Sequence, residues 1–277
     1  MTKPSGTPRA VALGAALREV REANKFGLRE LSRALDLPAS LVVHWEAGTR
    51  TPSTDDVANV LGFFRVIGEP KKRIMDLARH VREPNWMANG AAELTPELTT
   101  LLQYEQGAKV ITDWALNFIP GLLQTPDYAR AIFEASGLSV SQTDARVRVR
   151  LDRQKILTNR EPITYSAIIG LHAIDEPVAP NWIMSDQMDH LLAMSERPNI
   201  NLRVLPRQPS YHPGMLGSFV LYEYEHRNPI VLLEQHSTTS FLSSDKDWVL
   251  YRQLARLLGG ETLSEEASRA VIAEAAS

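Results

Sequence analysis

The sequence predicts two structural classes in one chain: an all-α N-terminal domain of five helices, then a larger α+β domain built on a mixed sheet. Three observations lead there. Over residues 10–82 the apolar positions recur at helical spacing with no alternating run among them. Beyond residue 108, short runs rich in β-branched and aromatic residues are interspersed with helical ones. Charge also divides the chain, whose net value is −3. Residues 1–82 carry 14 Lys/Arg against 9 Asp/Glu, and the rest carries 16 against 24. A basic head on an acidic body suits a chain of which only one end meets phosphate. At 277 residues the length suits two domains. The composition shift at 83–97 (EPNWMANGAAELTPE) reads as a linker between a domain at 10–82 and one at 98–277.

The first helix is expected over residues 11–24, with Leu13, Leu17 and Val20 on one face. Asn24-Lys25-Phe26-Gly27 breaks it. The second, 28–35, turns Leu28, Leu31 and Leu35 inward before Asp36-Leu37-Pro38 interrupts. Pro38 fits the first turn of the third helix, where no N–H is missed. That helix runs 39–46 and stops at Gly48, which suits a left-handed cap. Ser53 and Asp56 approximate a capping box for a fourth helix at 54–64, and a fifth is expected at 70–80.

In the larger domain, helices are expected at 98–106, 125–135 (capped by Thr125, with Pro126 in its first position), 141–157, 185–195, 245–258 and 264–275. Strands are expected at 109–119, 163–169, 200–205, 218–224 and 230–235. The helix at 141–157 is basic, carrying Arg146, Arg148, Arg150, Arg153 and Lys155. A phosphate, an acidic partner, the sheet's rim or plain solvent would each suit that face.

Composition removes several classes of function. There is no cysteine, hence no disulfide, cysteine metal site or thiol nucleophile. No apolar run approaches the ~20 residues of a membrane span. Residues 1–9 lack the apolar core of a signal peptide and read as a short arm, so a cytoplasmic protein with no membrane partner is expected. Glu234 and His236 would share a face of one strand, with His212 and His226 near in sequence, yet no zinc, nucleophile-elbow or phosphate-loop motif accompanies them. No catalytic residue, metal or cofactor is therefore expected, and an enzyme carried behind the basic head is the least favoured reading.

Residues 28–52 resemble the Xre-type (lambda-repressor-like) helix-turn-helix, with Leu31, Leu37, Val42, Trp45, Glu46, Gly48, Pro52 and Ser53 on the motif positions. The chain departs at Ser32, where Ala is usual, and at Asp36, where Gly is usual; Asp tolerates left-handed backbone better than most residues. The resemblance implies double-stranded DNA as partner, with base contacts from Ala39, Ser40, Val43 and His44 on the third helix. Ser40 can pair with either base type, His44 can donate to guanine, and Ala39 and Val43 offer only apolar contact. Phosphate contacts are expected from Arg29, Arg33, Thr49 and Arg50. With no Arg or Gln among the base readers, specificity is expected to lean on DNA shape or on an arm from Lys3 to Arg9 in the minor groove. Trp45 is expected in the core, and Glu46 to bond locally near the end of its helix. Lys71, Lys72 and Arg73 fit either a phosphate partner or a solvated face.

A second resemblance covers most of the remainder. Residues 114–131 (WALNFIPGLLQTPDYARA), 146–157, 199–206, 212–219 and 264–273 resemble the C-terminal domain of actinobacterial Scr-type, toxin–antitoxin-like regulators. The chain departs near Leu171 and His172, where an acidic residue is usual. The resemblance implies a transcriptional regulator that acts as a homodimer and binds a small acidic protein encoded nearby, or else a small-molecule effector. An antitoxin-like component acting mainly through protein binding is the alternative. Pro120, Gly121, Leu122, Leu123 and Gln124 form the candidate partner or effector segment, unless they are only a strand-to-helix turn.

Overall fold

The computed structural model of the chain describes residues 6–83, 85–89, 96–208, 210–225, 227–235 and 238–276. They form two compact units. The first comprises residues 1–104 with 226–230 and 235–245, and the second comprises 105–225 with 231–234 and 246–277.

In the first unit five helices follow one another: α1 (Pro8–Ala23), α2 (Leu28–Ala34), α3 (Ala39–Glu46), α4 (Thr54–Phe63) and α5 (Gly68–Arg79). Thr7 caps α1 by accepting from Ala10 N at 3.2 Å, and Pro8 stands in the first turn, so the helix begins three residues before the apolar pattern suggests. The Ser53/Asp56 capping box forms reciprocally, at 3.1 and 3.0 Å. Leu13, Leu17, Leu31, Val42, Trp45, Val57, Leu61, Ile74 and Leu77 make the core. Two glycines set how closely α1 meets α3. A Cβ on Gly14 would stand 2.3 Å from the carbonyl oxygen of Trp45, and one on Gly48 (φ 67°) would stand 2.8 Å from Val11 Cα.

The same unit holds an antiparallel ladder between β1 (Asn85–Asn89) and the segment Thr238–Leu242, from Asn85 opposite Leu242 to Asn89 opposite Thr238. The stretch read as linker thus contains a strand. Its partner lies about 150 residues away, so nothing local announces it. Residues 90–95 of that stretch lie outside the described residues. Helix α6 (Pro96–Gly107) follows. On it Tyr104 is buried, its ring 5.6 Å from that of Phe241.

The second unit is α+β. Its elements are β2 (Val110–Ala115), α7 (Pro126–Ala135), α8 (Val140–Gln154), β3 (Thr164–Gly170), α9 (His172–Asp175), α10 (Asn181–Ser195), β4 (Ile200–Leu205), β5 (Phe219–Glu223) and β6 (Ile230–Glu234). The segment Thr238–Leu242 is β7, after which come α11 (Asp245–Gly260) and α12 (Glu265–Ala276). Within this unit the strands run in the order β6-β5-β2-β3-β4. The β2–β3 and β3–β4 pairs are parallel and the β2–β5 pair antiparallel, so the sheet is mixed, as the sequence predicts. Parallel neighbours require crossovers, which α7–α8 and α9–α10 supply. The register puts Asp113, Tyr165 and Tyr222 on one face, with Trp114, Ile168 and Phe219 on the other. At the β4 edge, Val204 N–H donates to Ser268 Oγ and Leu263 N–H to the Val204 carbonyl, both at 2.9 Å. The chain's last segment thereby occupies ladder groups that would otherwise be open for pairing. Among the described residues no helix is long and apolar enough to cross a membrane.

Candidate nucleic-acid interface

Helix α3 has two chemically distinct sides. Ala39, Ser40, Val43 and His44, at the spacing of one helical face, are exposed, whereas Val42, Trp45 and Glu46 are buried. The turn before it closes as the motif requires. Asp36 takes φ 51°, Leu37 N–H donates to the Ser32 carbonyl at 2.9 Å, and Ser32 Oγ donates to the Leu37 carbonyl at 2.5 Å. Both departures from the motif are accommodated. Asp36 supplies the left-handed backbone, and the Ser32 hydroxyl adds a bond that Ala cannot make.

The C-terminal end of α3 is pinned from inside. Arg21 on α1 holds Glu46 through two charge-assisted bonds, Nε to Oε1 at 2.7 Å and a terminal nitrogen to Oε2 at 2.8 Å. Its other terminal nitrogen donates to the Phe26 carbonyl at 2.8 Å, so one guanidinium ties α1, the α1–α2 turn and α3 together. Hydrogen bonding to Glu46 raises the pKa of Arg21 despite desolvation. Glu46 therefore bonds across the domain, rather than within its own helix. The sequence does carry a trace of this, because Arg21 occupies the apolar stripe of Leu13 and Leu17 at i+8 and i+4.

Arg29, Arg33, Thr49 and Arg50 are all exposed, and among the described residues none of the three arginines forms an ion pair. Thr49 Oγ1 lies 3.0 Å from His44 Nδ1 and donates to the His44 carbonyl at 3.3 Å. In the basic cluster of α5, Lys72 pairs with Glu69 at 2.6 Å, while Lys71 and Arg73 are exposed. The expected arm from Lys3 to Arg9 is corrected at its far end. Arg9 belongs to α1 and pairs with Glu83, because Thr7 and Pro8 have already started the helix. Lys3 lies outside the described residues, as do His226 and His236.

In the second unit, Pro120, Leu122, Leu123 and Gln124 are buried and Gly121 is half-buried. Their polar groups are consumed internally. Gln154 donates to the Gln124 carbonyl at 2.6 Å, and Gln187 donates to the Leu123 carbonyl at 2.8 Å while accepting from Thr125 N–H at 2.7 Å. Arg150 donates to Gln124 Oε1 at 2.6 Å and lies over the Phe133 ring, 4.8 Å from its centroid. This segment is a strand-to-helix turn held by side chains of α8 and α10.

Sequence reasoning missed a buried polar group beside it. Arg153 makes a bidentate pair with Glu105 at 2.8 and 2.6 Å, so part of the basic face of α8 points inward rather than into solvent. On β2, Asp113 accepts from the Tyr165 hydroxyl at 2.9 Å. Burial pushes the Asp113 carboxyl up to about 7, against the lowering effect of that bond. Burial draws the pKa of Arg150 down to about 10, helped by the charge of Arg153. Among the described residues no group of three or more His, Asp or Glu is placed to hold a metal ion.

Comparison with known proteins separates along the same line as composition. Residues 12–71 match a helix-turn-helix domain family, and residues 98–274 match a domain of unknown function, DUF5753. No curated protein matches the chain. Among solved structures the chain is similar to TrmBL2, described as an archaeal chromatin protein with a novel mode of DNA binding. The two are 11% identical, the match covers 86% of this chain and 88% of that one, and the TM-score of 0.32 lies below that of a common fold. By the span of its larger domain, the chain belongs to the DUF5753 family, here carried behind a helix-turn-helix domain.

Proposed function

We propose that this protein is a sequence-specific DNA-binding transcriptional regulator of the Xre type, acting as a homodimer on double-stranded DNA, with the C-terminal domain as its regulatory part. The observation that carries the reading is the division of α3. Ala39, Ser40, Val43 and His44 are exposed together, and Arg29, Arg33 and Arg50 stand nearby in the motif with no acidic partner among the described residues. A helix so divided can lie in the major groove while the arginines meet phosphate.

The contact between Thr49 and His44 gives this reading a chemical direction. Where the Thr49 hydroxyl gives its proton to the His44 carbonyl, its oxygen is left to accept from Nδ1–H. In that tautomer Nε2 faces the groove as an acceptor. That favours adenine N6 or cytosine N4 over guanine, the reverse of what residue type alone suggests. The related Scr-type assignment, with a small acidic protein or small-molecule effector, stays with the C-terminal domain, where Pro120–Gln124 is the candidate segment.

Selection of bound sequences from random DNA by the full chain tests the proposal. Ser40→Ala and His44→Ala are expected to change the preferred bases. Arg33→Ala and Arg50→Ala are expected to weaken binding to every sequence and lower the salt slope by about 0.9 each. Retention of both affinity and preference by the Ser40 and His44 variants would remove α3 as the reading helix.

A further inference from the structure

Helix α11 buries one side and leaves an apolar stripe on another. Ala255 and Leu258 are buried, and the Tyr251 ring meets that of Phe219 at 5.2 Å. Leu250 and Leu257 remain 56% and 50% exposed, with Leu254 half-buried between them. Together with Lys246, Gln253 and Glu261, the last of them one residue beyond the helix's end, they project onto a stripe about 100° wide.

The spacing of this stripe is palindromic. Positions 246, 250, 253, 254, 257 and 261 are symmetric about the midpoint between Gln253 and Leu254, and the end charges are opposite in sign. An isologous two-fold contact needs that property, because residue i must meet residue j of the partner while j meets i. Antiparallel pairing of two α11 helices sets Leu250 against the partner's Leu257 and Gln253 against the partner's Leu254. It also sets Lys246 against the partner's Glu261 at both ends. Parallel pairing would instead stack Lys on Lys and Glu on Glu. Neither Lys246 nor Glu261 has an ion pair among the described residues. The helix dipoles favour the antiparallel arrangement as well.

We infer that this face of α11 is the contact between two copies of the chain, packed antiparallel about a two-fold axis at residues 253–254 and closed at each end by a Lys246–Glu261 pair. This supplies the surface for the homodimer of the proposed function, and it is tested without DNA, so its failure would leave the reading of α3 untouched.

The test is analytical ultracentrifugation of the full chain from 5 to 200 μM at low salt. The parent protein is expected to dimerise within that range, and Leu254→Glu to stay monomeric with an unchanged circular-dichroism spectrum. Lys246→Glu and Glu261→Lys, each of which juxtaposes like charges twice, are expected to weaken the dimer about tenfold. The double reversal should restore it to within about threefold of the parent. The charge variants lie at exposed positions, so they keep the test decisive should Leu254→Glu misfold. A parent that is monomeric at 200 μM overturns the inference. A dimer indifferent to the single reversals, or single losses that the double reversal does not rescue, also overturns it.

Discussion

Replacing Glu46 by Ala removes the anchor of α3 while leaving every exposed residue of that helix in place. The Arg21 side chain is 9% exposed and that of Glu46 3%, so the change strands a guanidinium in the interior. Breaking a buried pair from one side costs about 3–5 kcal/mol, most of it the uncompensated charge. Two features favour the lower end. Arg21 keeps its bond to the Phe26 carbonyl, and it retains the partly solvated Glu22 at 3.2 Å. A loss of ~3 kcal/mol corresponds to about a hundredfold in the opening equilibrium. It is a large part of the ~5–15 kcal/mol that holds a typical domain together. Hydrogen exchange with mass spectrometry on the full chain localises the effect, with protection of α1 and α3 amides expected to fall about a hundredfold and that of the β2–β3–β4 ladder to hold. The control is Arg21→Met with Glu46→Leu, which removes both charges and keeps the volume filled. It should recover most of the lost protection, since buried pairs replaced by apolar groups are often neutral or better. If the double variant is as unprotected as Glu46→Ala, the charge argument is wrong and side-chain shape is what matters. If Glu46→Ala changes protection by less than threefold, the pair does not hold α3 at all.

Three further outcomes follow from the same geometry. Asp113 has a folded pKa raised to about 7, above the ordinary 3.8, so the native state binds more protons than the unfolded one between those values. The second unit should therefore lose stability as pH rises from about 4 to 7 and change little above that, by roughly 4 kcal/mol at most. Urea melts at pH 5 and 8 should show roughly 2–3 kcal/mol of this loss, and Asp113→Asn should flatten it. Gly14→Ala places a methyl 2.3 Å from the Trp45 carbonyl oxygen and should cost ~2–3 kcal/mol, read as early loss of α1 protection, whereas Gly62→Ala, where no atom lies within 4 Å, should be neutral or mildly stabilising. Thr49→Val removes the acceptor for His44 Nδ1–H, so the imidazole nitrogen shifts of the free protein should move toward the other tautomer; unchanged shifts would mean that Thr49 does not set it.

How much of this was legible in the sequence depends on whether the governing contact was local. The five N-terminal helices and the Ser53 cap follow from spacing within one or two turns, and there the expected and observed elements differ by three residues at most, while the division of α3 was implied by the resemblance to the helix-turn-helix motif. The mixed character of the larger sheet was also legible, because helical segments between strands imply crossovers. The β1–β7 ladder was not, since its strands are five residues each and separated by most of the chain. The basic helix α8 misled in a different way. Periodicity reports which residues share a face, but whether Arg150 and Arg153 meet solvent depends on Gln124 and Glu105, which come from other elements. A buried Arg or Glu leaves the same letter in the sequence as an exposed one. Arg21 is the instructive exception, because it interrupts an apolar stripe and so signals that its charge must be answered inside the domain.

Magnitudes then bear on whether one copy of the proposed reader would suffice. Of the four exposed residues on α3, only Ser40 and His44 can hydrogen-bond a base edge, and neither has the fork of Arg, Asn or Gln. Even a good bidentate contact discriminates by only ~1–3 kcal/mol, so two single-point readers fall short of the ~4–10 kcal/mol that separates specific from non-specific binding. Phosphate contacts from Arg29, Arg33 and Arg50 add affinity without choosing a sequence. Two copies held in fixed register double the readout and convert the second half-site into an effectively intramolecular event. A contact that fixes two copies, such as the stripe on α11, would therefore supply specificity that α3 alone lacks. On that view, disrupting α11 should narrow the gap between specific and random DNA far more than it lowers affinity for random DNA.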